Sequence, residues 1–234
     1  MYAIWQALVE GARALVGGSE DVWAVVLLSL RVSGVATLLA TLIGVPVGYF
    51  LGVSRFATRN LLIVLVNTAM GFPPVVVGLF VYMALSRTGP LGPLGLLFTP
   101  TSMVIAQVII ASPLVAGVTT AAIATIPTDL RLQVRSLGAS RWQEAWAVVH
   151  EARRGVMAAI IAGFGGIISE VGAVQIVGGN IEGSTRVMTT AIMFNVRRGE
   201  FGLATSWAFV LIGITLMVNA WLTWAQFSGA RYER

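Results

Sequence analysis

The chain has 234 residues, of which 57% are hydrophobic and 11% are charged, and its mean hydropathy is +0.86. Soluble domains are about half apolar and about a quarter charged, and a fold of this size has too little interior to hide so much apolar surface. The composition therefore excludes a soluble enzyme, a nucleic-acid-binding domain and a disordered protein. It indicates an integral membrane protein.

The counts of reactive residue types exclude several chemistries. The chain has no Cys and one His, His150, and all 15 of its basic residues are Arg. The absence of Cys excludes disulfides and thiolate chemistry, and a single His excludes a histidine-rich metal site. The absence of Lys excludes a P-loop and Schiff-base catalysis. We therefore expect no catalytic residue, no metal ion and no cofactor on this chain.

Residues 1–18 are predicted to form a short interfacial helix, because apolar residues recur there at helical spacing. Five long apolar stretches follow. Each is long enough to cross a membrane, which takes about 20 helical residues, and none alternates like a barrel strand. We predict an all-α integral membrane protein with a transmembrane domain at about 22–227. Its crossings lie at about 22–51, 61–85, 102–126, 156–177 and 203–227.

The arginines favour one orientation of the chain. Five crossings place the termini on opposite sides of the membrane, and cytoplasmic loops carry an excess of basic residues. With the N-terminus outside, the cytoplasmic arginines are Arg55, Arg59, Arg131, Arg135, Arg141, Arg153, Arg154, Arg231 and Arg234, and the outer ones are Arg13, Arg87, Arg186, Arg197 and Arg198. We therefore expect the N-terminus outside and the C-terminus in the cytoplasm, with Arg197 and Arg198 counting against it.

The polar loop 128–155 is predicted to contain two helices joined by a glycine turn. Asp129 is typical of a helix start and Gly138 of a helix end. Ser140 with Gln143 three residues later matches a capping box for the second helix. The first helix carries an apolar stripe, formed by Leu130, Val134 and Leu137. A stripe of this kind can dock into a groove on a partner.

The segment RSLGAS at 135–140 resembles the centre of the EAA loop of ABC importer permeases. In that family the short helix inserts into a cleft of the ATPase subunit. The resemblance implies that coupling to an ATPase involves Asp129, Leu130, Val134, Arg135, Leu137, Gly138 and Ala139. The family's Glu-Ala-Ala positions fall on 132–134, so no acidic contact at Leu132 is implied. Without the resemblance, an ordinary amphipathic cytoplasmic loop explains the pattern equally well.

Further blocks resemble the permeases of tungstate ABC importers, at 67–79, 85–92, 97–100, 169–174, 177–181 and 185–192. The resemblance implies a type I (MetI-like) permease fold in a prokaryotic inner membrane, surrounded by lipid. It implies a homodimer that encloses the pathway and two ATP-binding cassette subunits that bind ATP and Mg²⁺. It also implies an extracytoplasmic oxyanion-binding protein. Molybdate and sulfate are alternative substrates, and no nucleic acid is expected as a partner.

Two places in the apolar stretches are candidates for the pathway or its gate. Pro73 and Pro74 remove backbone donors and are expected to kink the second helix. Such a kink can let the helix line a pathway, or it can serve packing alone. Glu170 lies close to Gly172 in the fourth stretch, where a carboxylate is costly and is expected to face a cavity or a partner. Proton coupling and a structural hydrogen bond are both open interpretations of Glu170.

Two arginines are candidates for attracting an anion. Arg31 and Arg186 are fixed cations near the predicted outer side, although contact with lipid headgroups or loops is the alternative for each. Two other protein classes are alternatives to an ABC importer permease. A secondary proton-coupled anion transporter would use Glu170 and need no ATPase. A membrane enzyme would need a metal cluster or a nucleophile–base pair at membrane depth, and neither pattern is found in the sequence.

Overall fold

The computed structural model describes residues 20–228, and the regular elements within that range are helices. α1 (Glu20–Val53) is followed by α2 (Arg59–Met70), α3 (Pro74–Leu85) and a 3₁₀ turn at Gly92–Leu94. Next come α4 (Pro100–Ala124), α5 (Thr128–Ser136) and α6 (Arg141–Glu151). The last four are α7 (Arg153–Ile168), α8 (Gly172–Gly178), α9 (Met188–Arg197) and α10 (Phe201–Ser228). The predicted helix at 1–18 lies outside the described residues.

Three of the described helices are long and apolar enough to cross a membrane, over Val22–Val53, Pro100–Ala124 and Phe201–Phe227. Two broken pairs, α2 with α3 and α7 with α8, pass the same test when each pair is counted as one span. By length and composition, residues 20–228 thus contain three to five spans. The all-α prediction is confirmed over the described range, but the second and fourth apolar stretches are each two helices.

The break in the second apolar stretch is more complete than the predicted kink. α2 ends at Met70, and α3 begins at Pro74, with Pro73 in an extended conformation before it. A residue that precedes a proline is biased away from helical geometry, so Pro74 keeps Pro73 out of the helix. Proline is well tolerated in a first helical turn, because its missing N–H would have no helical acceptor there. The tandem prolines therefore start a new helix.

The described chain folds as two compact units. The first contains residues 20–36, 73–108 and 165–218, and the second contains 37–72, 109–164 and 219–228. In the first unit a buried cluster joins α1, α9 and α10 through Val26, Met188 and Val210. In the second unit a buried cluster joins α4, α6 and α7 through Ile123, Val148, Ala152 and Val156. The polar loop is therefore anchored to the apolar helices by α6.

Glycines let α1 and α4 approach closely in the second unit. Gly44, Gly48 and Gly52 recur every four residues, which places them on one face of α1. A Cβ atom added to Gly48 would lie 2.6 Å from the Cβ of Thr119, and one added to Gly52 would lie 2.5 Å from the Cγ2 of Ile123. This spacing of small residues is the packing device that helices use in membranes.

Candidate functional site

The turn between α5 and α6 has the geometry of a Schellman motif. Gly138 has a φ of +82°, in the left-handed region that glycine adopts without strain. Its N–H donates to the carbonyl oxygen of Arg135 at 2.9 Å, and the N–H of Ala139 donates to that of Val134 at 3.3 Å. These bonds satisfy carbonyls at the end of α5 and end that helix. Gly138 therefore fixes how α6 follows α5.

The starts of both loop helices follow the predicted pattern. Asp129 lies in the first turn of α5, where a negative charge interacts favourably with the helix dipole. At the start of α6 the hydroxyl of Ser140 accepts the N–H of Gln143 at 3.3 Å, and the side-chain oxygen of Gln143 accepts the N–H of Ser140 at 2.8 Å. These two reciprocal bonds are the predicted capping box, and they define where α6 begins.

The loop presents large apolar side chains to its surroundings. Of the predicted stripe, Leu130 and Val134 are half-buried, whereas Leu137 is 86% exposed. Three further apolar residues on α5 and α6 are more than half exposed, namely Leu132, Trp142 and Trp146. Exposed apolar groups on an otherwise polar helix pair are typical of a surface that a partner covers.

A buried carboxylate holds the loop helices together. Glu144 on α6 is 2% exposed. Its carboxylate accepts hydrogen bonds from the Nε of Arg131 at 2.7 Å and from the Nε of Arg135 at 2.6 Å. Arg131 also donates from Nη1 to the carbonyl oxygen of Val53 at 3.0 Å. The carboxylate thus joins α6 to α5, and Arg131 joins α5 to the C-terminal end of α1. Glu144 was not predicted as a site residue, because its partners are 9 and 13 positions away in the sequence and no local pattern indicates the pairing.

These contacts lower the pKa of the Glu144 carboxyl. Burial is the largest single influence and raises the pKa, but the hydrogen bonds from Arg135 and Arg131 and their positive charges together outweigh it. The hydrogen bond to Glu144 in turn raises the pKa of Arg135. Glu144 is therefore a buried, negatively charged residue within the loop at neutral pH.

The pathway candidates of the second and fourth apolar stretches meet in the first unit. A Cβ atom added to Gly172 would lie 2.6 Å from the Cγ2 of Val75, and one added to Gly78 would lie 2.6 Å from the Cα of Ala173. The N-terminal turns of α3 and α8 are therefore in direct backbone-level contact. Pro73 and Pro74 lie beside that contact, because they begin α3.

Glu170 lies at the break between α7 and α8, not within a continuous helical span as the sequence suggested. Its Oε1 accepts the N–H of Ala173 at 3.0 Å, and its carbonyl oxygen accepts the hydroxyl of Thr189 at 2.9 Å. The first N–H groups of a helix have no helical acceptor, and a side-chain oxygen at this position supplies one. Glu170 precedes the N-cap residue Val171, and its carboxylate accepts an N–H of the first turn of α8.

Arg31 and Arg186 line the same cavity in the first unit. The cavity has a volume of about 480 Å³, and its walls come from α1, from residues 182–186, from α9 and from α10. The Nη1 of Arg186 lies 3.1 Å from the Oε1 of Glu182, and its guanidinium carbon lies 4.6 Å from the ring centre of Phe194. The two arginines predicted separately as anion-attracting residues therefore share one cavity.

Known proteins resemble this chain over most of its length. A family model described as "Binding-protein-dependent transport system inner membrane component" matches residues 44–227. A Haloferax volcanii protein named "Probable anion ABC transporter permease protein" is 41% identical over 197 residues, which is 82% of this chain and 85% of the relative. The tungstate uptake system permease protein TupB of Peptoclostridium acidaminophilum is 37% identical over 91% of this chain and 95% of its own.

The fold is shared with a solved ABC importer. A chain from a bacterial ABC transporter involved in the import of alginate superimposes with a TM-score of 0.72 at 18% sequence identity, covering 91% of this chain and 81% of that one. An identity this low shows the fold alone, and the fold is the type I permease arrangement predicted from the sequence. The chain belongs to the family of inner-membrane components of binding-protein-dependent transport systems, the permeases of ABC importers.

Proposed function

We propose that this chain is the membrane-spanning subunit of an ATP-driven importer of a tetrahedral oxyanion, with tungstate as its substrate. The observation that carries the proposal is the loop 128–155, where Glu144 and Arg131 connect an exposed helix pair to the C-terminal end of α1. A rigid, partner-facing helix pair of this kind is what a permease needs to receive motion from an ATPase. The tungstate assignment rests on the similarity to TupB.

The ATPase subunit docks on the exposed face of α5 and α6. Leu132 on α5 and Leu137, which directly follows α5, supply apolar contacts. Trp142 and Trp146 extend these contacts onto α6. The Gly138 turn sets the geometry of this surface. The coupling residues of the proposal are Asp129, Leu130, Val134, Arg135, Leu137, Gly138 and Ala139. ATP and Mg²⁺ bind to the partner, because this chain has no Walker motif.

Two copies of the chain form the transport pathway around a two-fold axis. A single chain with three to five spans in the part that the structure describes has little room for a gated route of its own. The contact between α3 and α8, with Pro73 and Pro74, Glu170 and Gly172 beside it, is the candidate gate region. A binding protein outside the membrane delivers the anion, and the N-terminus of the permease lies on that side.

The test is reconstitution of the complete importer. The permease, its ATPase and the oxyanion-binding protein are placed in proteoliposomes, and uptake of tungstate, molybdate and sulfate is measured with and without ATP. We expect ATP-dependent uptake with tungstate preferred. Uptake that prefers molybdate or sulfate would correct the substrate, and no uptake of any oxyanion would overturn the function.

The same assay separates the importer from a proton-coupled carrier. A carrier that uses Glu170 would move the anion with the permease alone, driven by a pH gradient across the vesicle membrane. We expect no such uptake, since the Glu170 carboxylate is already engaged with the N–H of Ala173.

A further inference from the structure

We propose that the cavity lined by Arg31 and Arg186 binds the transported tetrahedral oxyanion, as a site on the permease separate from that of the binding protein. The proposal deepens the function above and rests on it. It assigns a ligand-contacting role to Arg31 on α1 and to Arg186 in the segment before α9.

Arg186 is held in place yet poorly satisfied by the protein. Its side chain is 17% exposed, its Nη1 is paired with Glu182, and its guanidinium plane lies against Phe194. Its Nε is buried and has no hydrogen-bond partner within the described residues. A guanidinium carries five N–H donors. The Nε donor is buried and is not presented to the cavity, so the capacity left for a ligand is that of the Nη donors that the pair with Glu182 does not use. A guanidinium fixed in this way is suited to paired hydrogen bonds to an oxyanion.

Arg31 adds a second positive charge from another element. It is exposed and lines the cavity on the face of α1 that also carries Leu27 and Leu28. Glu182 is the only acidic residue in the described wall, and it is already paired with Arg186. The wall also contains Ser184 and Trp207, whose side chains can donate hydrogen bonds. The cavity therefore has the charge and the donors that a small dianion requires.

The phosphate of an anionic lipid offers the same tetrahedral chemistry. Arg186 is largely covered by protein, and the cavity walls come from elements on several sides. A small free dianion fits such a place better than a headgroup that carries two acyl chains. The experiment distinguishes the two ligands through the composition of the surrounding lipid.

The test uses the full-length permease in nanodiscs, without its binding protein or ATPase. Titration calorimetry with sodium tungstate is performed in zwitterionic phosphatidylcholine nanodiscs and in nanodiscs that contain phosphatidylglycerol. The variants are R186Q and R31Q, with R198Q as the matched control. Arg198 contacts the same Phe194 ring at 5.3 Å but pairs with Glu200 and does not line the cavity.

We expect tungstate to bind in phosphatidylcholine nanodiscs, with a Kd that rises about tenfold or more in R186Q and in R31Q. R198Q should bind like the unmodified chain. R31Q keeps the test decisive if R186Q fails to fold, because Arg31 is exposed. Equal affinity in all three variants, or equal loss in all three, would overturn the site. The absence of tungstate binding would also overturn the site. This includes the outcome in which the permease retains phosphatidylglycerol but binds no tungstate.

Failure of this site leaves the proposed function separately testable. If R186Q and R31Q transport normally in the reconstituted importer, the cavity is not a ligand site but the importer stands. If the unmodified importer moves no oxyanion with ATP, the function itself is wrong.

Discussion

Arg131 on α5 donates from Nη1 to the carbonyl oxygen of Val53 at 3.0 Å, so the loop helix is bonded directly to the last residue of α1. Arg59 makes a similar bond, from its Nε to the carbonyl oxygen of Leu51 at 2.8 Å. The last carbonyls of a helix have no helical donors, and positive charge is favourable there. The C-terminal end of α1 is therefore held by two arginines, and one of them also contacts Glu144. Under the proposed function, motion of α5 would be passed to α1 through this contact.

Replacing Glu144 by Gln should weaken the link between the loop helices. The change removes the charge that pairs with Arg131 and Arg135, and we expect a loss of about 1–3 kcal/mol in the free energy of unfolding. Transport and stimulated ATPase activity should fall together, because α5 is no longer held against α6. Thermal unfolding in nanodiscs and ATPase assays of the assembled importer measure these effects.

Glu151→Gln is the control for that experiment. Glu151 is an exposed carboxylate on the same helix, so its replacement should change neither stability nor ATPase activity. If E144Q behaves like E151Q in both assays, Glu144 does not brace the loop.

The stability of the protein should depend on pH through Glu144. Its folded-state pKa lies below the ordinary value of 4.5, so its ionised contacts stabilise the fold above that value. That stabilisation is lost as the pH falls from about 5 through the lowered pKa. The melting temperature of the unmodified chain should therefore drop more steeply over this window than that of E144Q. Parallel pH profiles for the two proteins would contradict the assignment.

The two helices of the loop were predictable from local sequence, whereas the ion pairs that hold them together were not. Gly138, Ser140 and Gln143 act on residues within a few positions of themselves, so their signals can be read directly from the sequence. Glu144 finds its partners only after α5 folds back onto α6. The same limit applies to Arg31 and Arg186, which the sequence singled out but could not place in one cavity.

The positions at which the apolar stretches break into separate helices were also not predicted correctly from local sequence. The tandem prolines suggested a kinked helix, but α2 ends before them and α3 begins at Pro74. Glu170 was placed inside an apolar stretch because hydropathy does not record helix ends. Because α7 ends before Glu170, its carboxylate accepts an N–H in the first turn of α8.

Gly138→Val should uncouple the importer. A β-branched residue is strained at a φ of +82°, so the turn would shift and α5 would no longer present its apolar face correctly. We expect ATP hydrolysis without uptake, or failure of the ATPase to assemble with the permease. Gly202→Ala in α10 is the control, since a Cβ atom there meets open space. Normal uptake and ATPase stimulation in G138V would rule out a coupling role for the turn.

Leu137→Ser should weaken binding of the ATPase without affecting the fold. Leu137 is 86% exposed in the chain alone, so its replacement removes little internal contact. Burying a leucine side chain at an interface contributes about 1.5–3 kcal/mol, and its loss should raise the Kd for the ATPase about tenfold or more. Surface plasmon resonance with immobilised permease measures the Kd. Asn60, an exposed residue on α2 outside this surface, is changed to Ser as the control, and equal affinity of L137S and N60S would place the docking surface elsewhere.

Two substitutions of Glu170 separate its possible roles. Gln keeps a side-chain oxygen that accepts the N–H of Ala173, whereas Ala removes it. If the residue caps α8, E170Q should retain ATP-dependent uptake, and E170A should lose stability because an N–H at the start of α8 is left without an acceptor. Proton coupling requires a group that ionises, so it predicts loss of uptake in E170Q as well. Uptake in proteoliposomes, measured with ATP and separately with a pH gradient, distinguishes these outcomes, and a pH-driven flux lost in both variants would favour the carrier over the importer.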